Sequence, residues 1–325
     1  MDNKFKKIFI TGGAGFVGSH VSEVFFENFK KSKIIILDKL TYAGNKAYLS
    51  SIIKSKRVKF IQGDILDTKK YTKFLKNCDL AINIAAESHV DNSFTSPLRF
   101  TKTNTLGAHA FFLECVKNKV KKILHISSDE VYGEKITGTS YEDQLVNPTN
   151  PYSASKAAAE ILINSYKYTY KKEIIMVRAN NIYGIRQFPE KLISTSIVNL
   201  IKNKPIPIHG NGQNVRYYLS ALDFAYALVM LVKKVNRGTY NIGSNYSEKN
   251  ITIAKTICKL FKKDPNKYIK FTKDRLYNDK RYSVSSEKIR ELGWKSKKLL
   301  TDDLPMIIEW YKKNYKIFKN PEKKI

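Results

Sequence analysis

Asp129 and Glu130 stand side by side directly after an apolar, strand-like run. Eliminating water from a substrate requires one group that protonates the departing hydroxyl and a second that takes a carbon-bound proton. Neighbouring carboxylates can divide these two roles, because the negative charge of one raises the pKa of the other. An acidic pair at a strand end is usually a solvated surface feature, so its interpretation depends on what else the chain places nearby.

Tyr152 and Lys156 form a second pair of interest, since residues four apart share one face of a helix. An ammonium beside a phenol lowers the pKa of the phenol, which would make Tyr152 a base toward an alcohol. Such pairs arise by chance in a chain with 20 tyrosines and 58 basic residues, of which nine are arginines and 49 are lysines. The spacing therefore gains meaning only if a cofactor site accompanies it.

A glycine-rich turn, Thr11-Gly12-Gly13-Ala14-Gly15-Phe16-Val17-Gly18, follows a strand-like run and opens a helix-like segment. Glycines here let the backbone approach a pyrophosphate, whose charge then lies at the helix N-terminus. Asp38 comes 20 residues after Gly18 and ends the second strand-like run, where it can accept hydrogen bonds from a ribose. Its charge repels a 2′-phosphate, which predicts NAD rather than NADP, although Lys39 weakens that preference slightly.

These side chains need a sheet that brings several strand ends together. Short apolar runs alternate with helix-length segments, which indicates a parallel sheet covered on both faces. The runs occupy residues 7–11, 33–37, 58–61, 80–84, 123–126 and 174–177. Helices are predicted at residues 16–30, 97–117, 152–170, 223–234, 251–261 and 285–292.

The fold class predicted is α/β, a doubly wound parallel sheet. Residues 1–179 would form a Rossmann-like NAD-binding domain, and residues 180–325 a smaller mixed α/β lobe that binds the substrate. Prolines and glycines interrupt the pattern beyond residue 178, which marks this change. The chain is expected to return to the first domain near residues 220–242.

The formal net charge is +29 over 325 residues, which invites a nucleic-acid interpretation. The lysines are scattered along the whole chain, however, and the few arginines argue against base or phosphate readout, so no nucleic-acid partner is predicted. Apolar runs are too short to cross a membrane, and the three cysteines lie too far apart to suggest a metal site or disulfides. The N-terminus, residues 1–4, leads straight into a strand-like run without a signal sequence, so a cytoplasmic protein is expected.

The glycine turn combined with Tyr152-x-x-x-Lys156 resembles the extended short-chain dehydrogenase/reductase superfamily. The segment Ser127-Ser128-Asp129-Glu130-Val131-Tyr132-Gly133 is similar to the active-site segment of the nucleotide-sugar 4,6-dehydratases. Residues 37–45, 85–91 and 188–192 extend the resemblance, which covers the chain from residue 8 to about residue 295.

The resemblance implies a role for each catalytic residue. Tyr152 would deprotonate the glucose 4-hydroxyl while NAD⁺ takes hydride from C4, with Lys156 beside it. Glu130 would then remove the C5 proton, and Asp129 would protonate the 6-hydroxyl as it leaves as water. Hydride would return to C6, which gives a 4-keto-6-deoxy sugar. Ser128 stands where the family usually has threonine and would hydrogen-bond the 4-oxygen.

The resemblance also implies two sets of binding residues. Besides Tyr152 and Lys156, the residues expected at NAD are Gly12, Gly15, Phe16, Val17, Gly18, Asp38, Lys39, Leu40, Thr41, Ala43, Gly44, Asp64, Ile65, Ala85, Ala86, Ser88 and Thr103. Those expected at the nucleotide sugar are Ser88, Ser128, Asn181, Glu190, Lys191, Leu192, Pro207, His209, Arg216, Asn241, Arg275 and Asn278, with Arg281 a further candidate for the diphosphate.

Three segments bear on the nucleotide. Residues 180–184 resemble the UDP-glucose 4,6-dehydratases more than the bacterial dTDP-glucose enzymes. Residues 206–210 and 278–282 resemble the dehydratase part of plant UDP-rhamnose synthases. UDP-glucose is therefore preferred, with dTDP-glucose a close alternative. Two positions depart from the family pattern: Asn92 replaces a usual arginine, and Ile185-Arg186 replaces a proline-containing step.

Other interpretations remain open at this stage. A UDP-glucose 4-epimerase would share the glycine turn and Tyr152, but it would not need Asp129 and Glu130. A UDP-sugar decarboxylase would need a carboxylate-binding site that the sequence does not reveal. A silent NAD-binding protein is disfavoured by the intact catalytic set. The family resemblance further predicts a homodimer through the helices at residues 97–117 and 152–170, whose Leu106, Phe111, Leu113, Ile161 and Leu162 could equally belong to the core.

Overall fold

Apolar runs and amphipathic segments alternate through the first half of the chain and fold into a parallel sheet with helices on both faces. The computed structural model describes residues 5–318, so the predicted signal-free N-terminus at residues 1–4 lies outside the described residues. The strands are β1 (Lys7–Thr11), β2 (Lys33–Asp38), β3 (Val58–Gln62), β4 (Leu80–Asn83), β5 (Lys122–Ser128), β6 (Glu173–Ala179), β7 (Asn181–Tyr183), β8 (Ile206–His209), β9 (Val215–Ser220), β10 (Gly238–Ile242), β11 (Ser247–Lys249) and β12 (Ile269–Thr272).

Helices connect these strands and cover both faces of the main sheet. They are α1 (Phe16–Asn28), α2 (Thr68–Leu75), α3 (Val90–Thr95), α4 (Pro97–Phe100), α5 (Ala108–Lys117), α6 (Pro151–Thr169), α7 (Leu192–Ile201), α8 (Ala221–Lys234), α9 (Asn250–Leu260), α10 (Pro265–Tyr268), α11 (Glu287–Glu291) and α12 (Leu300–Asn314). Across residues 5–318, no helix has the length and apolar character that a membrane crossing requires.

The main sheet has seven parallel strands in the order β10-β6-β5-β4-β1-β2-β3. The order reverses between β1 and β4, because the chain runs outward from β1 in one direction and later continues from its other side. In open α/β sheets, ligands bind at such a reversal, beyond the carboxyl ends of the strands. The predicted doubly wound fold is confirmed.

Strand β1 shows how one sequence serves two cores. Successive side chains point to opposite faces of a sheet, so Ile8 and Ile10 pack on one side and Phe9 on the other. Helices α1 and α8 cover the first face, and helices α2, α5 and α6 cover the second. The strands are buried on both faces, which explains why they read as continuous apolar runs.

A third apolar core lies in the second half of the chain, between α7, α9, α12 and the small sheets β11-β9-β7 and β12-β8. Helices α7 and α12 were not anticipated from the sequence. The segment from α8 to β10 returns to the main sheet, where β10 pairs with β6. We propose that the site cavity described below separates an NAD-binding domain from a substrate lobe along this division.

Two helices differ from their predicted form. The predicted helix at residues 97–117 is continuous but contains π-helical turns over Thr101–Gly107 between α4 and α5. Such turns are frequent at functional sites, and here they place Thr103 against the site cavity. The predicted helix at residues 285–292 is shorter, because α11 covers only Glu287–Glu291.

Candidate active site

The glycine turn joins β1 to α1 with no room for side chains. A Cβ at Gly18 would lie 1.9 Å from the carbonyl oxygen of Gly12, and one at Gly12, whose φ is +66°, would lie 2.7 Å from the backbone of Ala85. Helix α1 begins at Phe16 with neither a side-chain cap nor an acidic residue in its first turn. Its N–H groups are therefore free for an anion, as a bound pyrophosphate requires.

Asp38 ends β2 beside this turn and lines the same cavity. Its carboxylate accepts hydrogen bonds from the backbone N–H groups of Ala14 at 2.9 Å and Leu40 at 2.8 Å. Burial raises the pKa of Asp38, and these backbone donors oppose that effect. Lys39 points to Asp64 with an Nζ–Oδ2 distance of 2.8 Å. The glycine turn and Asp38 together fit the pyrophosphate and adenosine ribose of NAD.

The acidic pair lies on a 3₁₀ turn, Asp129–Tyr132, at the carboxyl end of β5. Ser128 begins this turn, and its Oγ accepts a hydrogen bond from the backbone N–H of Glu130 at 3.2 Å. Asn180 donates to Oδ2 of Asp129 at 2.8 Å, and Asn150 donates to Oε2 of Glu130 at 3.3 Å. Each carboxylate therefore has its own amide partner, which gives the two groups different surroundings.

Asp129 holds its proton to unusually high pH. Burial, followed by the charge of Glu130, raises the pKa of Asp129 from 3.8 to about 7, whereas Asn180 acts in the opposite direction. A carboxyl group with such a pKa can donate a proton near neutral pH. The direction agrees with the predicted division of roles between the two acids.

Tyr152 and Lys156 lie on the first turns of α6, which begins with a capping box made by Asn150 and Ser153. Lys156 donates from Nζ to the carbonyl oxygen of Ile126 at 2.5 Å, and burial lowers the pKa of Lys156 from 10.5 to about 8. The pKa of Tyr152, in contrast, is raised by burial and by the charge of Glu130.

The predicted lowering of the pKa of Tyr152 is therefore wrong. The reason is that burial and the carboxylate of Glu130 both disfavour a phenolate at Tyr152, while the ammonium of Lys156 is directed to Ile126. The Ser128 hydroxyl lowers the pKa of Tyr152 but does not outweigh these effects.

These features border one cavity of about 410 Å³ at the carboxyl ends of the main strands. All five predicted catalytic residues line it. The predicted cofactor residues that line it, apart from Tyr152 and Lys156, are Gly12, Gly15, Phe16, Val17, Gly18, Asp38, Lys39, Thr41, Ala43, Gly44, Asp64, Ile65, Ala85, Ala86, Ser88 and Thr103. The predicted substrate residues that line it are Ser88, Ser128, Asn181, Glu190, Lys191, Leu192, Arg216, Arg275 and Asn278.

Five other predicted positions do not line this cavity. Asn241 is fully buried, and its amide bonds Tyr132 and Ser140, so we withdraw it from the substrate set. Leu40 contributes only its backbone N–H to Asp38. Pro207 and His209 face solvent on β8. Arg281 instead donates to the carbonyl oxygens of Lys135 and Gly138 and to the Tyr217 hydroxyl, and so secures a loop.

Several lining residues were not anticipated. Tyr282 packs 4.9 Å beneath the guanidinium of Arg216 and hydrogen-bonds Asp279. Tyr282 and Asp279 both lie in the segment 278–282. The resemblance of this segment to the family was therefore a signal for more site residues than Asn278. The other unanticipated residues include Glu87, Asn150, Asn180, Gln187, Phe188, Tyr218, Asn250 and Tyr277.

Three residues that line the cavity, Arg275, Lys191 and Glu190, also connect the two halves of the chain. Arg275 binds both oxygens of Asp91 at 2.7 and 3.0 Å. Lys191 donates to the carbonyl oxygen of Ser88 at 2.6 Å, and the Tyr42 hydroxyl donates to Glu190 at 2.8 Å. Among residues 5–318, no group of three or more His, Cys, Asp or Glu side chains is placed to hold a metal ion.

A nucleotide-binding glycine turn, a Tyr-x-x-x-Lys helix and a seven-stranded parallel sheet define an extended short-chain dehydrogenase/reductase. A sequence profile described as GDP-mannose 4,6 dehydratase matches residues 9–305. The chain belongs to this family, which confirms the predicted resemblance to nucleotide-sugar 4,6-dehydratases.

Individual relatives carry two kinds of name. A trifunctional UDP-glucose 4,6-dehydratase/UDP-4-keto-6-deoxy-D-glucose 3,5-epimerase/UDP-4-keto-L-rhamnose-reductase of Arabidopsis thaliana is 41% identical over 319 residues, which cover 96% of this chain and 48% of the plant protein. This chain thus spans about half the length of that relative. The human dTDP-D-glucose 4,6-dehydratase is 37% identical over 327 residues, which cover 98% of this chain and 93% of the human one.

A solved structure agrees with the fold and the cofactor. DesIV, a dTDP-glucose 4,6-dehydratase from Streptomyces venezuelae solved with NAD and TYD bound, superposes with a TM-score of 0.93 at 33% identity, over 96% of this chain and 99% of that one. The predicted use of NAD is therefore supported both by the geometry of the glycine turn and by a relative that holds NAD.

Proposed function

We propose that this chain converts UDP-glucose to UDP-4-keto-6-deoxy-glucose, with NAD as a cofactor that is regenerated in each turnover. The observation that carries the proposal is the juxtaposition of Asp129, Glu130 and Tyr152 around one cavity beside the glycine turn. Oxidation of an alcohol needs only a base such as Tyr152. An elimination needs in addition a proton donor for the leaving hydroxyl and a base for the carbon-bound proton, and the two carboxyl groups can supply these roles.

The side chains supply the proton transfers. Tyr152 accepts the proton of the sugar 4-hydroxyl, and Ser128 hydrogen-bonds the same oxygen. Glu130 removes the proton at C5, which a 4-ketone makes acidic. Asp129, protonated near neutral pH, gives its proton to the departing 6-hydroxyl. NAD, when bound, supplies the acceptor and donor of hydride.

The preference for UDP-glucose over dTDP-glucose rests on sequence similarity. The plant trifunctional relative is 41% identical, against 37% for the human dTDP-D-glucose 4,6-dehydratase. The two nucleotides differ by a 5-methyl and a 2′-hydroxyl, and a single methyl group in a pocket is worth only about 1–3 kcal/mol. Turnover of both substrates at different rates is therefore compatible with the proposal. The product of the proposed reaction is a 4-ketone. A 3,5-epimerase and a 4-keto-reductase would convert it to a 6-deoxy sugar of the rhamnose type.

Mass spectrometry of the purified protein given NAD⁺ and either nucleotide sugar tests the proposal. The expected result is loss of one water from UDP-glucose, abolished by Glu130→Gln while the fold is retained. Loss from dTDP-glucose alone would keep the reaction and overturn the preferred nucleotide. Absence of dehydration of either sugar would refute the dehydratase activity and leave 4-epimerisation as the next reaction to assay.

A further inference from the structure

A buried ion pair lies behind the catalytic residues, outside the site cavity. Glu160 of α6 and Arg178 of β6 are 1% and 6% exposed. The Nη2 of Arg178 donates to Oε2 at 2.7 Å, and its Nε donates to Oε1 and Oε2 at 3.2 and 3.1 Å. Desolvation of two charges offsets much of their attraction, so a pair of this kind is weak evidence of a stabilising role.

Arg178 contacts the catalytic turn, and its near neighbour in the chain, Asn180, contacts the same turn at a second point. Its guanidinium lies 4.5 Å from the ring of Tyr132, the residue that ends the turn beginning at Asp129. The hydroxyl of Tyr132 is fixed in turn by Asn241 at 2.9 Å. Two residues beyond Arg178 along the chain, Asn180 donates to Asp129. A shift of Arg178 would therefore move both the turn and the amide that tunes its acid.

Glu160 is the member of the ion pair that lies on the catalytic helix α6. It lies one turn beyond Lys156 on α6, and both side chains are buried. Burial lowers the pKa of Lys156, and the negative charge of Glu160 acts in the opposite direction. On the other side, His125 of β5 interacts with Lys156, but burial keeps the pKa of His125 far below neutrality, so it carries no charge. Tyr152 shares the helix and is neutral for the reason given above.

We propose that Glu160 and Arg178 are positioning residues for the elimination: their ion pair fixes the helix of Tyr152 and Lys156 against the turn of Asp129 and Glu130, and the carboxylate of Glu160 is the counter-charge that keeps Lys156 an ammonium. The inference rests on the proposed function for the reaction in which these residues are used. Its charge component concerns Lys156 alone and can be measured without a sugar.

The test titrates Lys156 in protein saturated with NAD, by the carbon resonances of ¹³C-labelled lysine side chains. The resonance is assigned by its loss in Lys156→Met. Glu160→Gln is expected to lower the pKa of Lys156, because it removes the anion and leaves Arg178 as an unpaired cation. Arg178→Met is expected not to lower it, because the carboxylate remains. A purely structural role would give no such asymmetry between the two halves of one pair.

Activity supplies the second readout. A misplacement of about 1 Å caused by a mutation away from the reacting atoms can cost about 100-fold in rate. We therefore expect kcat to fall by up to about this factor in both variants, while KM changes little. The double variant Glu160→Gln/Arg178→Met leaves no unpaired buried charge and should fold even if a single variant does not. Its kcat should stay low, since both ties are lost.

Glu23→Gln is the matched control. It breaks another Arg–Glu pair, in which Arg186 Nη1 lies 2.6 Å from Glu23 Oε2, and neither residue lines the cavity. Neither kcat nor the titration of Lys156 should change in this variant. An unaltered Lys156 titration in Glu160→Gln, lowering in both single variants, or full activity of the double variant would overturn the inference. A wild-type protein that dehydrates no nucleotide sugar would instead refute the proposed function, while the titration would still decide the role of Glu160.

Discussion

Asp129 can donate a proton near neutral pH, because burial disfavours its charged form. Replacing it by asparagine keeps the shape and the contact with Asn180 but removes the proton. Loss of general acid catalysis typically costs about 10²–10⁴-fold in rate. We therefore expect kcat for dehydration to fall by this amount in Asp129→Asn, measured by loss of water from the nucleotide sugar. Release of the C5 proton to solvent should be retained, because Glu130 is intact. This release is measured by deuterium exchange at C5. Exchange lost together with dehydration would show that the two carboxylates do not have separate roles.

The same substitution should change stability with a defined dependence on pH. The pKa of Asp129 is raised from 3.8 to about 7 in the folded protein, so the folded state binds this proton more tightly than the unfolded state. Its stabilising contribution is complete below pH 3.8 and is lost as the pH rises through about 7. Asp129→Asn should therefore unfold at nearly the same denaturant concentration as the wild type at low pH and be more stable at pH 8, by about 2–4 kcal/mol.

Denaturant titrations at several pH values check this expectation. Asp302→Asn is a suitable control, since that exposed carboxylate lies in the first turn of α12 and does not line the cavity. Equal stability of Asp129→Asn and the wild type at pH 8 would mean that the buried carboxyl carries no such cost in the folded protein.

Among the elements, the turn between β1 and α1 is the most restrictive. A Cβ at Gly18 would meet the carbonyl oxygen and carbon of Gly12 at 1.9 and 2.7 Å, so the turn would have to move away from the pyrophosphate position. Overpacking typically costs 1–3 kcal/mol, which corresponds to about a 10–100-fold loss of affinity. Gly18→Ala should therefore weaken NAD binding by this factor in isothermal titration calorimetry.

Gly138→Ala serves as the comparison for this measurement. Gly138, unlike Gly18, has a positive φ, of +70°, but an added Cβ would have only Lys135 nearby, at 4.0 Å, and the residue does not line the cavity. The substitution should cost stability through backbone strain and leave NAD binding unchanged. Similar losses of NAD affinity in both variants would show that the turn at Gly18 has no special role.

Local patterns allowed prediction of the elements that carry continuous apolar runs. Strands β1 to β6 and helix α1 are recognisable because their side chains are buried by a sheet with two covered faces. Helices α7 and α12 were missed, since α7 follows closely on Pro189 and Pro305 interrupts the pattern of α12. The residue types of the site could be predicted from the sequence, whereas the directions of its pKa shifts could not. The former follow from motifs, whereas the direction of Lys156 toward Ile126 depends on packing between β5 and α6.

The whole molecule carries a net charge of +29, and the proposed substrate is a diphosphate. Electrostatic attraction of an anion falls with ionic strength, because the Debye length shrinks from about 30 Å at 0.01 M to about 8 Å at 0.15 M. The KM for the nucleotide sugar should accordingly rise with salt while kcat changes little. Steady-state kinetics in sodium chloride, with glucose-free nucleoside diphosphate as a competitive probe, measure both effects. A KM that is independent of salt would indicate that local contacts alone attract the substrate.

The predicted homodimer concerns the face formed by α4, α5 and α6. Phe111 is fully buried in the core, whereas Leu98, Leu106 and Ile161 are 80%, 53% and 63% exposed, so the two alternatives left open by periodicity separate residue by residue. Exposed apolar side chains on the segments expected at the interface favour this prediction. Stable dimers bury roughly 1,600 Å² in total, and a charge at the centre of such an area is costly. Ile161→Glu should therefore convert the dimer to a monomer, as measured by light scattering after size-exclusion chromatography.

Leu145→Glu provides the matched substitution, because Leu145 is 92% exposed and lies on a loop rather than on this helical face. It should leave the mass in solution unchanged. Since α6 carries Tyr152 and Lys156 as well as Ile161, monomerisation should also lower kcat, through loss of the support that a partner gives to the catalytic helix. A wild-type protein that is monomeric at all concentrations would exclude the dimer, and a monomeric Ile161→Glu variant with full activity would show that the catalytic helix needs no partner.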